Sequence, residues 1–484
     1  MKENKKGKSG RVLSGLLWTY GERFLAQLVT LIVSIVLARI LSPEHYGTVA
    51  IVTVFITICD ALVTGGFGNA LIQKKDASKQ DFDSICWLSI GIATVLYIIL
   101  FIGAPIISIV YKDELLTPVT RVLGIKVLFS AFNSVQQAYV QKKMIFKKFF
   151  FATLGGTITS AVVGIFLALN GAGVWALVAQ YLTNSILDTM ILFFLIDWKP
   201  SLNISKRSIV ELWGFGAKLL ASTMVFTFKD NVRSLLIGKV FTGADLAYYN
   251  QGKKYPALLV TDIVESLGKV LFPVFSNQQT DTDGLRQMMR KSVRMSAYVL
   301  TPCIIGLVAI ADTFVSVILT DKWLPCVPYL RILSLVYLTR PLSTVFQRAL
   351  LAIGKSSVNL FHELVTTMAT LILVIVAVFG FRSIELVAWS YVLVMVLGVI
   401  IFAYYTKKYF CYKYMDMIRD FIQPVIMSIM MSILVVFVGK VPIGNFSKLV
   451  IQIISGGIVY IALSIFSKCE SYLVIKNMLF AKKR

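Results

Sequence analysis

The feature that most constrains this chain is a long series of apolar runs, each roughly 20 residues and therefore enough to cross a hydrocarbon core about 30 Å thick. They recur from Leu16 to Phe466 with short connections between them. Lipid offers no partner for a backbone N–H or C=O, so consecutive apolar runs of this length can only be helices. Hydrophobic residues make up 57% of the 484, charged residues 15%, and mean hydropathy is +0.78. An ordinary soluble domain is about 25% charged. The connections leave no room for an extramembrane enzyme domain.

With ends uncertain by about 2 to 4 residues, the spans read 15–39, 46–68, 84–110, 118–139, 149–170 and 174–197, then 209–237, 244–272, 292–319, 327–350, 356–380 and 384–406, and finally 420–439 and 447–467. The expected fold is therefore all-α and polytopic, with about fourteen transmembrane helices. The amino terminus is basic but is not read as a cleaved signal, because its apolar run continues to Ile40 and carries Glu22 and Arg23.

A net charge of +23 would suggest nucleic acid in a soluble protein. Here the basic residues gather in alternate connections, as at Lys74, Lys75 and Lys79, at Lys142, Lys143, Lys147 and Lys148, and at Arg286, Arg290, Lys291 and Arg294. That is the positive-inside pattern, which puts both termini in the cytoplasm and implies no nucleic acid. The six cysteines show no C-x-x-C spacing, so membrane packing is expected, with no metal site and no cofactor.

A weak internal repeat orders the chain further. Leu17-Trp18-Thr19-Tyr20-Gly21 is echoed by Leu212-Trp213-Gly214-Phe215-Gly216, with Arg23 falling on Lys218. Gln136-Gln137 falls on Gln347-Arg348, and the helix start at Gly173-Val174 falls near Ser383-Ile384. An even number of crossings separates the copies, which makes them parallel repeats about an axis along the membrane normal. The expected domains are a six-helix bundle over 1–205, a second over 206–410, and two additional helices with a basic tail over 411–484.

The segment Leu37-Ala38-Arg39-Ile40-Leu41-Ser42-Pro43-Glu44-His45-Tyr46-Gly47, with Gly65-Gly66-Phe67-Gly68-Asn69-Ala70-Leu71-Ile72-Gln73, resembles the opening of the Wzx-type polysaccharide flippases. These belong to the multidrug/oligosaccharidyl-lipid/polysaccharide exporter superfamily, and the likeness is nearest to the colanic-acid and teichuronic-acid exporters. The resemblance implies a non-enzymatic flippase in the bacterial cytoplasmic membrane. Its cargo would be a polyprenyl-pyrophosphate-linked oligosaccharide repeat unit, and it would work beside a polymerase and glycosyltransferases.

Ionisable residues inside spans cost about 2.5 to 3.5 kcal/mol each, so they should face a wet cavity or one another. Arg23, Gln27, Thr30 and Ser34 recur at helical spacing in the first span, and Thr53, Thr57, Asp60 and Thr64 in the second. The fourth carries Lys126, Ser130, Asn133 and Gln137; the sixth Gln180, Asn184 and Asp188; the seventh Lys218, Ser222, Lys229 and Arg233; the tenth Arg340, Thr344, Gln347 and Arg348. Stripes in both halves imply a shared central cavity, in which Arg23, Lys126, Lys218, Lys229, Arg233, Arg340 and Arg348 would hold the diphosphate.

Gln27, Asp60, Asn133, Gln137, Asn184 and Asp188 would line that cavity. Asp60 and the pair His362 and Glu363 are candidate ion-coupling groups. Pairing between helices, as for Glu22 with Arg23 or Lys229 with Asp230, is the competing explanation for any one of these charges. Two other functions fit the class less well. An ion-coupled drug exporter would need a cavity of carboxylates and aromatics, and a membrane polymerase or ligase would need a sizeable external loop.

Overall fold

The computed structural model describes residue 25 and residues 27–279 and 281–474, and among these there is no β-strand. Two units emerge, Met1–Ala247 and Tyr248–Arg484. The first holds α1 (Gln27–Ile40), α2 (Pro43–Thr64), α3 (Phe67–Gln73), α4 (Lys79–Tyr111), α5 (Leu116–Leu123), α6 (Lys126–Lys143), α7 (Phe146–Leu169), α8 (Val174–Leu195) and α9 (Lys206–Val240). The division falls early in α10 (Gly243–Asn277). The second unit then holds α11 (Thr282–Ala309), α12 (Ala311–Ile318), α13 (Val327–Leu338), α14 (Arg340–Ala352), α15 (Ser356–Ile375), α16 (Ile384–Phe410), α17 (Tyr414–Gly439) and α18 (Asn445–Phe466).

Nine helices among the described residues are long and apolar enough to cross a bilayer, or ten if the bent pair Lys206–Gly214 and Leu219–Val240 is one span. Those that fall short include α6, α10 and the α13–α14 pair, which coincide with the expected spans 118–139, 244–272 and 327–350. Polar residues lower the hydropathy of α6 and α10, whereas α13 and α14 are only 12 and 13 residues long. Breaks come where local chemistry interrupts the ladder: Gly65-Gly66 separates α2 from α3, Gly124-Ile125 separates α5 from α6, and Thr339 precedes Arg340-Pro341 between α13 and α14.

The outward faces are apolar. On α4 Ile98, Ile99, Ile102, Ile106 and Ile109 are 50–76% exposed, and Ile418, Ile422, Ile426, Ile429 and Ile433 make a similar stripe on α17. In water such stripes would drive association; in lipid they face their proper solvent. Inside the first unit Phe67, Leu71, Phe82, Ile85, Val135, Leu192 and Trp198 form a core. Trp198 Nε1 donates to the buried carboxylate of Asp83 at 2.9 Å and the Ser201 hydroxyl donates to it at 2.5 Å, so that charge enters the core with its hydrogen bonds made. In the second unit Phe275, Met289, Val293, Phe346, Leu350, Phe402, Phe410 and Tyr412 do the corresponding work.

Close backbone approach fixes α9 within the first unit. Thr223 Oγ1 of α9 donates to the Gly65 carbonyl at 3.2 Å, and a Cβ at Gly66 would run into the Gly216 carbonyl. Glycine at Gly66 is therefore a packing requirement.

Candidate functional site

The polar stripes of the second, fourth and sixth expected spans converge in the first unit. Asp60 and Thr64 of α2, Lys126, Ser130, Asn133, Ser134 and Gln137 of α6, and Asn184, Ser185 and Asp188 of α8 line a cavity of about 320 Å³. Lys126 Nζ lies 3.0 Å from Asp60 Oδ2, while Asp60 Oδ1 is buried without a hydrogen-bond partner. Gln137 Nε2 donates to Asn133 Oδ1 at 2.5 Å, and Asn184 Nδ2 to Thr157 Oγ1 of α7 at 3.4 Å. Asp188 packs over Gly156, where any Cβ would collide with its carboxylate.

Thr53 and Thr57 of the α2 stripe are not among the residues that line the cavity, whereas Thr64 is. The hydroxyls of Thr53, Thr57 and Thr64 each donate at 2.7 Å to the carbonyl four residues earlier on α2, so most of that stripe's polarity is spent within its own helix. The charges lining this cavity are one lysine against two carboxylates, with the lysine engaged by one of them. Ser134 and Ser185 also face it; each is the sequence neighbour of a stripe residue, which is the only signal that pointed to them.

The remaining candidates lie elsewhere. Gln27 is exposed on α1, Arg233 is buried on α9 and Lys229 is half-buried one turn away. Arg23 lies outside the described residues, as does the side chain of Lys218, whose backbone belongs to α9. Lys126, expected as a diphosphate ligand, is the only cationic candidate among the described residues that lines this cavity.

In the second unit Arg340 is exposed at the start of α14, and Arg348 sits two turns along the same helix. The Arg348 guanidinium lies in the space left by Gly268 of α10, where a Cβ would sit 3.0 Å from its Nε. That Nε is buried with no hydrogen-bond partner. Beside it Gln347 Nε2 donates to Asn359 Oδ1 of α15 at 2.6 Å. His362 stacks on Phe402 at 4.1 Å between ring centres, and its Nδ1 is 3.4 Å from Glu363 Oε1 without the alignment of a hydrogen bond. Among the described residues no group of three His, Cys, Asp or Glu side chains could hold a metal ion.

Sequence reasoning treated Arg290 and Arg294 as topology signals only and did not single out Asp420. In the structure Asp420 of α17 is fully buried and accepts from Arg290 Nε at 2.7 Å and Nη2 at 3.1 Å, Arg294 Nε at 2.6 Å and Tyr412 Oη at 2.7 Å. The signal was there as two i, i+4 pairs, Arg290 with Arg294 and Asp416 with Asp420.

Comparison with known proteins adds to this geometry. Residues 36–328 match the family model described as polysaccharide biosynthesis protein. The chain is similar to the teichuronic acid biosynthesis protein TuaB of Bacillus subtilis (strain 168), 24% identical over 491 residues that cover 98% of each chain. It is also similar to the lipopolysaccharide biosynthesis protein WzxC of Escherichia coli (strain K12), 25% identical over 356 residues, 72% of this chain and 71% of that one. Among solved structures, the lipid II flippase MurJ in an inward closed conformation shares the fold, with a TM-score of 0.76 over 94% of this chain and 99% of that chain, at 15% identity.

Proposed function

The chain belongs to the polysaccharide biosynthesis protein family, and from that premise we propose that it is a flippase that carries a polyprenyl-pyrophosphate-linked oligosaccharide repeat unit from the inner to the outer leaflet of the bacterial cytoplasmic membrane. It is a transport protein of the multi-pass membrane class; no bond is made or broken. The observation that carries the reading is polar side chains gathered inside units whose outer faces are apolar, as a hydrophilic cargo in a membrane demands.

On this reading the chain has about fourteen spans, arranged as the two repeats 1–205 and 206–410 with the pair in 411–484, and both termini face the cytoplasm. Alternating access moves the cargo. Arg348 is the strongest candidate for the diphosphate, because it is a half-buried arginine whose Nε is buried with no hydrogen-bond partner. A unit charge pair at 4 Å contributes about 4 kcal/mol at an effective dielectric of 20, enough to offset part of the head group's desolvation. Arg340 and the α9 cations Lys218, Lys229 and Arg233 are further candidates, together with Arg23. An outside-positive potential assists outward movement of an anion by about 2.3 kcal/mol per charge per 100 mV.

One observation favours ion coupling as an accompaniment. Asp60 and Asp188 share the first unit's cavity with a single lysine, the carboxylate-rich lining that suits a cation. His362 and Glu363 are a second such candidate.

The test is export of surface polysaccharide in cells whose only copy is a variant, measured together with membrane abundance. Arg348→Gln is expected to abolish or strongly reduce export at normal abundance, with Arg348→Lys retaining part of it. Near-normal export by Arg340→Gln/Arg348→Gln at normal abundance would remove α14 from the mechanism.

A further inference from the structure

Outside the cavities already described, the second unit has an arginine-lined recess at one end of α11 and α17. Two adjoining cavities of about 370 and 380 Å³ share Arg290, Arg294, Glu470 and Ser471 as a common wall; Lys291 lines the first and Arg419 the second. Arg290 and Arg294 lie one turn apart on the same face of α11, and Lys291 joins them along the wall of the first cavity.

The recess is held open by its own carboxylate. Asp420, fully buried, engages the Nε edge of both guanidinium groups and is closed from behind by Tyr412. Arg290 spends Nε and Nη2 on it, and Arg294 spends Nε there and Nη1 on Glu470. A guanidinium has five N–H donors in a rigid fork. Fixing one edge on Asp420 therefore orients the remaining donors without exhausting them. Lys291 and Arg419, both exposed, have no carboxylate within ion-pair distance among the described residues. Glu470 is 72% exposed and is the one carboxylate in the recess that is free to move aside.

Directly beyond this basic end run the outward apolar stripes of α17 and α18, from Ile418 and Ile422 and from Phe466, Ile465 and Ile461. A basic recess bordering a lipid-facing apolar surface has the amphipathy of one kind of molecule. We propose that this recess binds the phosphate head group of an anionic membrane phospholipid, with its acyl chains on the exposed faces of α17 and α18. The phosphate takes the unspent Arg290 and Arg294 donors, Arg419 and Lys291 supply charge at the rim, and Glu470 swings out. Basic pockets between helices at a membrane surface recognise anionic head groups in this way, each lysine or arginine adding a comparable increment. The inference concerns a resident lipid and is independent of which oligosaccharide is carried.

The experiment uses the purified full-length protein in detergent, titrated with phosphatidylglycerol, phosphatidylcholine or inorganic phosphate and read by native mass spectrometry or thermal shift. Phosphatidylglycerol is expected to bind and stabilise, with phosphatidylcholine at least about tenfold weaker. Lys291→Gln/Arg419→Gln, which leaves the Asp420 lock untouched, is expected to weaken phosphatidylglycerol roughly tenfold or more. Glu470→Gln is expected to tighten it, because the competing carboxylate is gone. Equal binding of the two lipids, unchanged affinity in the double variant, weaker binding in Glu470→Gln, or full competition by millimolar inorganic phosphate would each overturn the proposal.

Discussion

At the scale of single residues, the informative charges are those whose partners the structure names. Lys126 and Asp60 form a half-buried pair, 31% and 21% exposed. Removing one member leaves an uncompensated charge, whereas removing both leaves a polar cavity that water can fill. Lys126→Met is thus expected to destabilise the protein by about 1 to 3 kcal/mol, and Asp60→Asn/Lys126→Met by less, measured by thermal unfolding in detergent. Additive losses would show that the pair is not coupled. Lys74 is a different kind of group. It bridges Asp81 and Glu211, each at 3.0 Å. Burial pushes its ammonium down, but the hydrogen bonds it donates to both carboxylates outweigh that and hold it above the usual lysine range. A raised lysine pKa means the clamp contributes fully below the ordinary lysine value and is lost only as pH climbs through the raised one. It is therefore constant across physiological pH.

At the scale of elements, apolarity and position separate the helices by role. α4 presents an isoleucine stripe outward, and α6 presents a polar stripe to the cavity. A lysine at the centre of a lipid-facing helix costs about 2.5 to 3.5 kcal/mol, whereas one facing a hydrated cavity costs far less. Ile99→Lys is accordingly expected to lower membrane abundance severalfold, and Ser130→Lys to leave it near normal, as judged by quantitative blotting of membrane fractions. Equal abundance of the two would mean that α4 does not face lipid. α6 differs from α4 for the same reason, since a helix that lines a polar space has only part of its circumference available for lipid or core.

At the scale of the whole molecule, the arrangement of basic residues bears on orientation. Cysteines introduced at Lys75, Lys143 and Arg290 are expected to resist impermeant thiol reagents in intact cells, whereas one at Asp113 should label. Labelling of the first three from outside would reverse the orientation or change the number of crossings. Asp420 ties α17 to α11, and Tyr298 and Tyr460 join α11 to α18, with Tyr460 Oη donating to the Tyr298 carbonyl at 2.8 Å. The sequence presents 411–484 as an addition outside the repeat; in the structure Met427 and Met431 of α17 and Tyr460 of α18 pack with Tyr298 of α11 in an apolar cluster of their own.

Much of this was legible in the chain alone. Apolar runs of membrane-spanning length dictate helices, because lipid forbids an unpaired backbone, and helical spacing grouped Asp60, Lys126, Asn133, Gln137, Asn184 and Asp188 into stripes; all six residues line the cavity of the first unit. Periodicity assigns a residue to a face of its helix, but it does not say what stands opposite. Only the tertiary structure set Asp60 against Lys126, returned Thr53 and Thr57 to their own helix, left Arg348 with a buried donor beside Gly268, and turned Arg290 and Arg294 onto Asp420. The physical reason is that composition and spacing are properties of one segment, whereas the state of a charge is decided across the gap between two helices, over distances of about 3 Å that no one-dimensional pattern encodes.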